Sequence, residues 1–202
     1  MRIGIDFDNT IVSYDALFHK VACEQGLVPP ETPLSKVAVR DHLRGIGRED
    51  RWTEMQGYVY GARMVEAFAY EGAIEFIRKA ACAGHSIAIV SHKTRHPFLG
   101  PKYDLHAAAR AWIERHLQCD GIAFLSPNDV FFEVTKPAKI ARIAAWRCDA
   151  FIDDLPEILL ATEFPPDTAR LLFDPEDHYS AVAPDGMSRF KSWGQIAGHF
   201  GA

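Results

Sequence analysis

The sequence has 202 residues, is 48% hydrophobic and 24% charged, and carries a formal net charge of −5. These proportions describe an ordinary globular chain, large enough for one core and a small accessory lobe. The negative balance and the absence of a Lys/Arg run exclude a nucleic-acid polymer as the expected partner. No apolar run reaches the length of a membrane span and no signal peptide precedes the first apolar run, so a cytoplasmic protein with no membrane partner is expected. Cys23, Cys82, Cys119 and Cys148 form no Cys-x-x-Cys pair. They predict free, mostly buried thiols in a reducing compartment, and neither a zinc site nor a dithiol motif.

The chain opens on Met1-Arg2-Ile3-Gly4-Ile5, an apolar run that leads straight into Asp6-Phe7-Asp8-Asn9-Thr10. Strand alternation puts Asp6 and Asp8 on one side and Phe7 on the other. Two carboxylates in one small volume repel each other unless a cation lies between them, and oxygen donors beside a phosphate are the usual setting for Mg²⁺. A plain acidic turn also uses Asp and Asn. The position at the end of a first central strand favours a ligand site, because open α/β sheets bind ligands there.

After Val12 the spacing turns helical. Ser13 is a candidate cap for a helix with Leu17, Val21 and Ala22 on one face, running to Gly26. Pro29, Pro30 and Pro33 make the next stretch an extended connector. Helices are predicted around Ser35 to Arg44, Glu49 to Tyr60 and Ala62 to Tyr70, with no strand among them. From Gly72 the pattern returns to a helix through Ala73, Phe76, Ile77 and Ala80, a stop at Gly84, and an apolar strand from Ile87 to Ser91. Residues 13–71 therefore read as a helical insertion, and residues 1–12 with 72–202 as the core it interrupts.

Beyond Ser91 lies a polar loop, His92 to Tyr103, and then a helix from about Asp104 to His116. Short strands are predicted at Ile122 to Leu125 and Val130 to Phe132, followed by a helix at Pro137 to Trp146. A further strand, Ala150 to Ile152, ends in Asp153-Asp154. One more strand at Arg170 to Phe173 and a helix at Trp193 to Phe200 close the chain. The expected fold class is α/β: a Rossmann-like parallel sheet with helices on both faces, plus a small helical cap inserted after the first strand.

In this order the motifs resemble those of the haloacid dehalogenase superfamily of phosphatases. Asp6-Phe7-Asp8-Asn9-Thr10 is similar to its first motif, Ser91 at the end of the second strand to its second, and Asp153-Asp154 to its fourth. The resemblance implies an Mg²⁺-dependent phosphohydrolase acting on a small phosphomonoester, of the nucleotide or sugar phosphate class, through an aspartyl-phosphate. It implies Asp6 as nucleophile and metal ligand, and Asp8 as general acid and base whose main-chain carbonyl also binds the metal. Asp153 is then a direct metal ligand and Asp154 an outer one. Phe7, Asn9, Thr10, Ser91 and His92 are expected around the phosphate. The third motif is a lysine early in the helix that precedes the fourth. Lys136, at the junction with Pro137, and Lys139, fourteen residues before Asp153, both qualify, with the spacing leaning to Lys139.

True dehalogenases of the superfamily lack the second aspartate, so Asp8 points to the phosphatase branch. The alternatives are a phosphoryl-binding or regulatory protein of the same fold with little turnover, or a phosphotransferase or mutase. Lys93 and Arg95 in the polar loop, and Gln56 and Arg63 in the insertion, are candidate substrate contacts. The insertion itself is expected to act as a lid. His92 and His96 have the separation of a helical metal pair, but Pro97 and the loop composition argue against a helix there. The expected partner is a small phosphorylated molecule, and the oligomeric state is left open.

Overall fold

Near-continuous apolar runs bury both faces of the central strands, which is the pattern of a parallel sheet covered on two sides. A computed structural model describes residues 1–180 and 186–201. Residues 181–185 and 202 of the expected core lie outside the described residues. In chain order the first half holds β1 (Arg2–Ile5), β2 (Val12–Ser13), α1 (Asp15–Glu24), α2 (Lys36–Gly45), α3 (Glu49–Tyr60) and β3 (Phe68–Ala69). Then follow α4 (Ala73–Cys82), β4 (Ser86–His92), α5 (Leu105–His116), β5 (Gln118–Cys119), β6 (Ile122–Ala123) and β7 (Val130–Glu133). The chain continues through α6 (Lys136–Trp146), β8 (Ala150–Asp153), α7 (Pro156–Leu159), β9 (Ala169–Phe173), β10 (Met187–Phe190) and α8 (Trp193–Phe200).

The chain falls into two compact units, the first made of Met1–Val12, Ala69–Lys93 and Glu114–Ala202. Its six-stranded sheet has the order β10-β9-β8-β1-β4-β7, and every pair is parallel. This is a doubly wound α/β sheet whose strand order reverses beside β1. In register, Ile5 lies opposite Ile89 on one side and Ile152 on the other. On one face Ala88, Val90, Phe151 and Leu172 pack with Ile140, Ile143 and Trp146 of α6 and Ile158 and Leu159 of α7. On the other, Trp193 of α8 stacks on Phe76 of α4 and Phe173 of β9, with ring centroids 5.3 and 5.6 Å apart.

The second unit comprises Ser13–Phe68 and Thr94–Ile113. Phe18 of α1 packs against Trp52 and Tyr60 of α3, and Tyr14 meets Tyr60 edge-on. The unit takes in residues 94–113 besides the expected insertion. The reason lies in α3: Gly57 and Gly61, one turn apart, seat Pro97 and Tyr103 against bare backbone. A Cβ on Gly57 would stand 2.6 Å from the Pro97 Cβ.

Other expectations need correction. The helix predicted over Ala62 to Tyr70 is a single tight turn at Met64–Glu66 followed by β3, because the Tyr70 N–H must reach the Ile11 carbonyl in extended form, at 2.8 Å. Ser13 is a strand residue and Tyr14 the N-cap of α1. Ile122 belongs to a small antiparallel hairpin with Gln118–Cys119, turned by Asp120 and Gly121 at φ 51° and 80°; positive φ at both central residues is the tight hairpin geometry that Asp-Gly favours. β10 was not foreseen, since a part-exposed edge strand such as Met-Ser-Arg-Phe has no apolar run. All four cysteines are free, but only Cys148 is buried. Among the described residues no helix is long and apolar enough to cross a membrane.

Gly4 is a point of close approach in this sheet. A Cβ there would lie 2.6 Å from the Phe151 ring and 2.7 Å from Cys148 Sγ. Gly4→Ala is therefore expected to destabilise the chain by about 1–3 kcal/mol through overpacking, measured as a lower urea midpoint at unchanged slope. An unchanged midpoint would show that β8 yields without strain.

Candidate active site

The carboxyl ends of β1, β4 and β8 lie side by side where the strand order reverses, the place at which open α/β sheets bind ligands. The Asp6 N–H donates to the Ile152 carbonyl at 2.8 Å, so Asp6 stands beside the end of β8. Its carboxylate is buried. Oδ1 accepts from Lys139 Nζ at 2.6 Å and from Ser91 Oγ at 2.8 Å, while Oδ2 faces the Thr10 hydroxyl at 3.3 Å. The same ammonium lies 2.6 Å from Asp153 Oδ2. Lys139 is brought there by α6, whose Ile140, Ile143 and Trp146 pack under the sheet. Thr135 caps the helix by accepting from the Ala138 N–H, and Pro137 occupies its first turn, where proline costs no hydrogen bond.

Burial opposes the charge on Lys139, but Asp153 and Asp6 outweigh it and hold its pKa above the ordinary lysine range. Two carboxylates thus share one ammonium. Burial, reinforced by Asp6, pushes Asp153 up to about 7 against the pull of Lys139. Asp153 Oδ1 accepts from the Leu155 N–H at 3.0 Å. Its Oδ2 is fully buried beside the Lys139 ammonium that it shares with Asp6.

After Asp6 the chain turns sharply. Asn9 takes the left-handed φ of 60°, which Asn tolerates better than most residues, and the Ile11 and Val12 N–H groups both reach the Phe7 carbonyl at 3.1 Å. Phe7 is buried, edge-on to Phe132. Asp8 is gripped by Lys93, whose Nζ donates to Oδ1 at 2.8 Å and Oδ2 at 2.7 Å. The Thr10 hydroxyl accepts from the Asp154 N–H at 3.1 Å and also lies 3.3 Å from Asp154 Oδ1. Trp193 Nε1 donates to the Thr10 carbonyl at 3.0 Å.

Among solved structures this chain is similar to a predicted phosphoglycolate phosphatase from Haemophilus somnus, with a TM-score of 0.57 at 14% identity over 98% of this chain and 97% of that one. An archaeal β-phosphoglucomutase from Pyrococcus matches at a TM-score of 0.53 and 15% identity, covering 99% and 100% of the two chains. A haloacid dehalogenase family hydrolase from Deinococcus radiodurans, solved with bound phosphate and sodium, matches at 0.54 and 16%, covering 98% and 94%. The chain has the haloacid dehalogenase-like fold. No family model matches the sequence, and no curated protein is similar to it in sequence.

Within this haloacid dehalogenase-like core the structure gathers Asp6, Asp8, Thr10, Ser91, Lys139, Asp153 and Asp154. Lys136 lies elsewhere, 44% exposed and paired with Glu157 at 2.5 Å. His92 Nε2 lies 3.2 Å from the Val134 carbonyl. Arg95, Arg63 and Gln56 belong to the second unit. There Arg95 pairs with Asp104 at 3.2 Å, Arg63 is taken up by Glu24 and Glu66, and Gln56 is part-buried on α3. The sequence pattern predicts Lys93 as a loop lysine facing a substrate. It is instead 4% exposed and bound to Asp8. The available signal was its spacing of two from Ser91, which continues the alternation of β4.

One oxygen each from Asp6, Asp153 and Asp154 lie within 4.8 Å of one another. This all-oxygen set of carboxylates fits a hard divalent cation. Lys139→Ala, which leaves two buried acids without their common partner, is expected to destabilise the fold by about 3–5 kcal/mol near pH 8. The sign with pH follows from the raised Asp153: an acid whose folded pKa is raised gives up stability as pH rises, so the deficit should be smaller near pH 5. Lys136→Ala should stay within about 0.5 kcal/mol. Equal effects of the two substitutions on urea unfolding would contradict this assignment of the buried pair.

Proposed function

We propose that this chain is an Mg²⁺-dependent phosphohydrolase acting on small phosphomonoesters, of the nucleotide or sugar phosphate class, through an aspartyl-phosphate on Asp6. The observation that carries the reading is the buried Asp6 carboxylate, held by Ser91 and Lys139 and flanked by Asp153 and Asp154, at the switch point of the sheet. Asp6 attacks phosphorus, and Oδ2, with only the longer contact to Thr10, is its less engaged oxygen. The ester P–O bond breaks as Asp8 gives a proton to the departing oxygen. Water then attacks the phosphorus of the aspartyl-phosphate while Asp8 takes its proton, and inorganic phosphate leaves with Asp6 regenerated. Ser91 and Lys139 steady the phosphoryl oxygens where negative charge gathers. Backbone N–H groups of the Phe7 to Thr10 turn and His92 line the same anion.

Asp6, Asp153 and the Asp8 main-chain carbonyl would hold the Mg²⁺, with Asp154 as an outer ligand. When bound, the metal supplies positive charge that screens the carboxylates from the phosphate and polarises its oxygens. The chain's own residues 13–71 serve as the lid, with Gln56, Arg63 and Arg95 as the candidate selectors of the rest of the substrate. A cytoplasmic location is supported by the four unpaired thiols.

The test is hydrolysis of p-nitrophenyl phosphate with Mg²⁺. Asp6→Asn should lower the rate by roughly 10³-fold or more, chelation should abolish it, and Mg²⁺ should raise the melting temperature of the wild type by mass action. Lys139→Ala should cost about two to three orders of magnitude in kcat at saturating Mg²⁺. Undiminished turnover by folded Asp6→Asn protein would overturn the nucleophile.

A further inference from the structure

We infer that Lys93 is a positioning residue for Asp8: it fixes the direction of the carboxylate that exchanges protons and does not itself bind the phosphate. This rests on the phosphohydrolase reading above and adds to it a residue with no place in the motifs. Three observations carry it. The ammonium donates to both oxygens of Asp8, at 2.8 and 2.7 Å, and a two-point contact sets the rotation of a carboxylate as a single hydrogen bond does not. The lysine is anchored at its other end, since its backbone N–H donates to the Glu133 carbonyl at 2.8 Å and so extends the pairing of β4 with β7 past the end of the strand. Its stem is buried, with Nζ 5.7 Å from the centroid of the Phe7 ring. The hydrogen-bond donors around Asp6 are by contrast Ser91 and Lys139, and both touch the nucleophile.

Asp8 needs such a partner because of where it stands. It lies beyond the last residue of β1, at the start of the turn that Asn9 closes, with its side chain 20% exposed. A carboxylate there rotates freely unless something holds it, and a group that must meet the leaving oxygen and then a water gains from being fixed. Ser91 and Lys93 divide this work along one strand. Spaced by two, they reach Asp6 and Asp8, which are themselves spaced by two on the neighbouring strand and its continuation.

A positioning residue acts only through its partner, and a double-mutant cycle in the steady-state kinetics of p-nitrophenyl phosphate and β-glycerophosphate hydrolysis with Mg²⁺ reads that directly. Lys93→Met should lower kcat by about 10- to 100-fold, less than Asp8→Asn does, with KM within about twofold. In the Asp8→Asn background Lys93→Met should have no further effect, because nothing remains to be positioned. Lys93→Arg, which can also grip both oxygens, should recover most of the loss. Circular dichroism and thermal unfolding of each variant separate folding from function, and Lys93→Arg decides the matter if Lys93→Met is unfolded. A raised KM with effects that multiply in the double variant would overturn the inference and make Lys93 a phosphate ligand, while the phosphohydrolase reading stands. Wild-type protein that hydrolyses neither ester would overturn both.

Discussion

One ammonium between two buried carboxylates is the constraint on which this core depends. Lys139 lies 2.6 Å from both Asp6 and Asp153, and all three side chains are buried. Removing charges from water on this scale is costly unless they meet their partners closely. The ends of β1 and β8 and the first turns of α6 are therefore fixed together: α6 must dock where Lys139 reaches both acids, and β1 and β8 must pair so that Asp6 and Asp153 end at one level. The packing of Ile140, Ile143 and Trp146 against Ala88, Val90 and Phe151 provides the first. The register of Ile5 against Ile152 provides the second, and Gly4 lets Phe151 and Cys148 come close enough for it to hold.

A second link joins the far end of the chain to its beginning. Trp193, at the start of α8, is held between Phe76 and Phe173 and donates to the Thr10 carbonyl. Thr10 in turn accepts from the Asp154 N–H and faces Asp6. The turn after β1 is thus set from outside as well as by the φ of Asn9, and the last helix helps to define the first loop. A hydroxyl suits this place because it accepts and donates at once without adding charge.

Much of this was legible because alternation and order are local properties of a sequence. The acids at Asp6, Asp8, Asp153 and Asp154 each follow an apolar run that can only be a buried strand, and the helices around α3, α6 and α8 carry their own spacing and punctuation. The choice between Lys136 and Lys139 was not decidable that way. Both lie in the first turns of one helix, and what separates them is depth: Lys139 stands a turn further in, over the sheet, while Lys136 extends to Glu157 in solvent. Lys93 was hidden for a related reason. Its partner depends on the pairing of β1 with β4, and a polar run that holds His92, Thr94 and Arg95 around it reads as a solvated loop. The seat of residues 94–113 in the second unit hinges on a close approach to Gly57 and Gly61, which no hydrophobic pattern announces. β10 shows neither signal, since an edge strand needs only one neighbour and little apolar surface.

The charges at the sheet edge give the proposed chemistry its electrostatic logic. Asp6, Asp8, Asp153 and Asp154 bring four acids together, and Lys93 and Lys139 offset two of them. Each lysine is already committed: one is shared by Asp6 and Asp153, the other is bound to both oxygens of Asp8. Asp153 shows the shortfall: burial beside Asp6 pushes its carboxyl up to about 7 although the shared Lys139 ammonium lies 2.6 Å from its Oδ2. A phosphate dianion approaching these acids would meet repulsion that the two ammoniums do not cancel. A divalent cation held by these acids would neutralise the excess, and this is why the same cluster suits a metal and, through it, an anion in the proposed chemistry. The division of labour between the lysines follows. In the proposed chemistry Lys139, bound to Oδ1 of the nucleophile, serves the phosphoryl group, and Lys93, one alternation beyond Ser91, serves the group that moves protons.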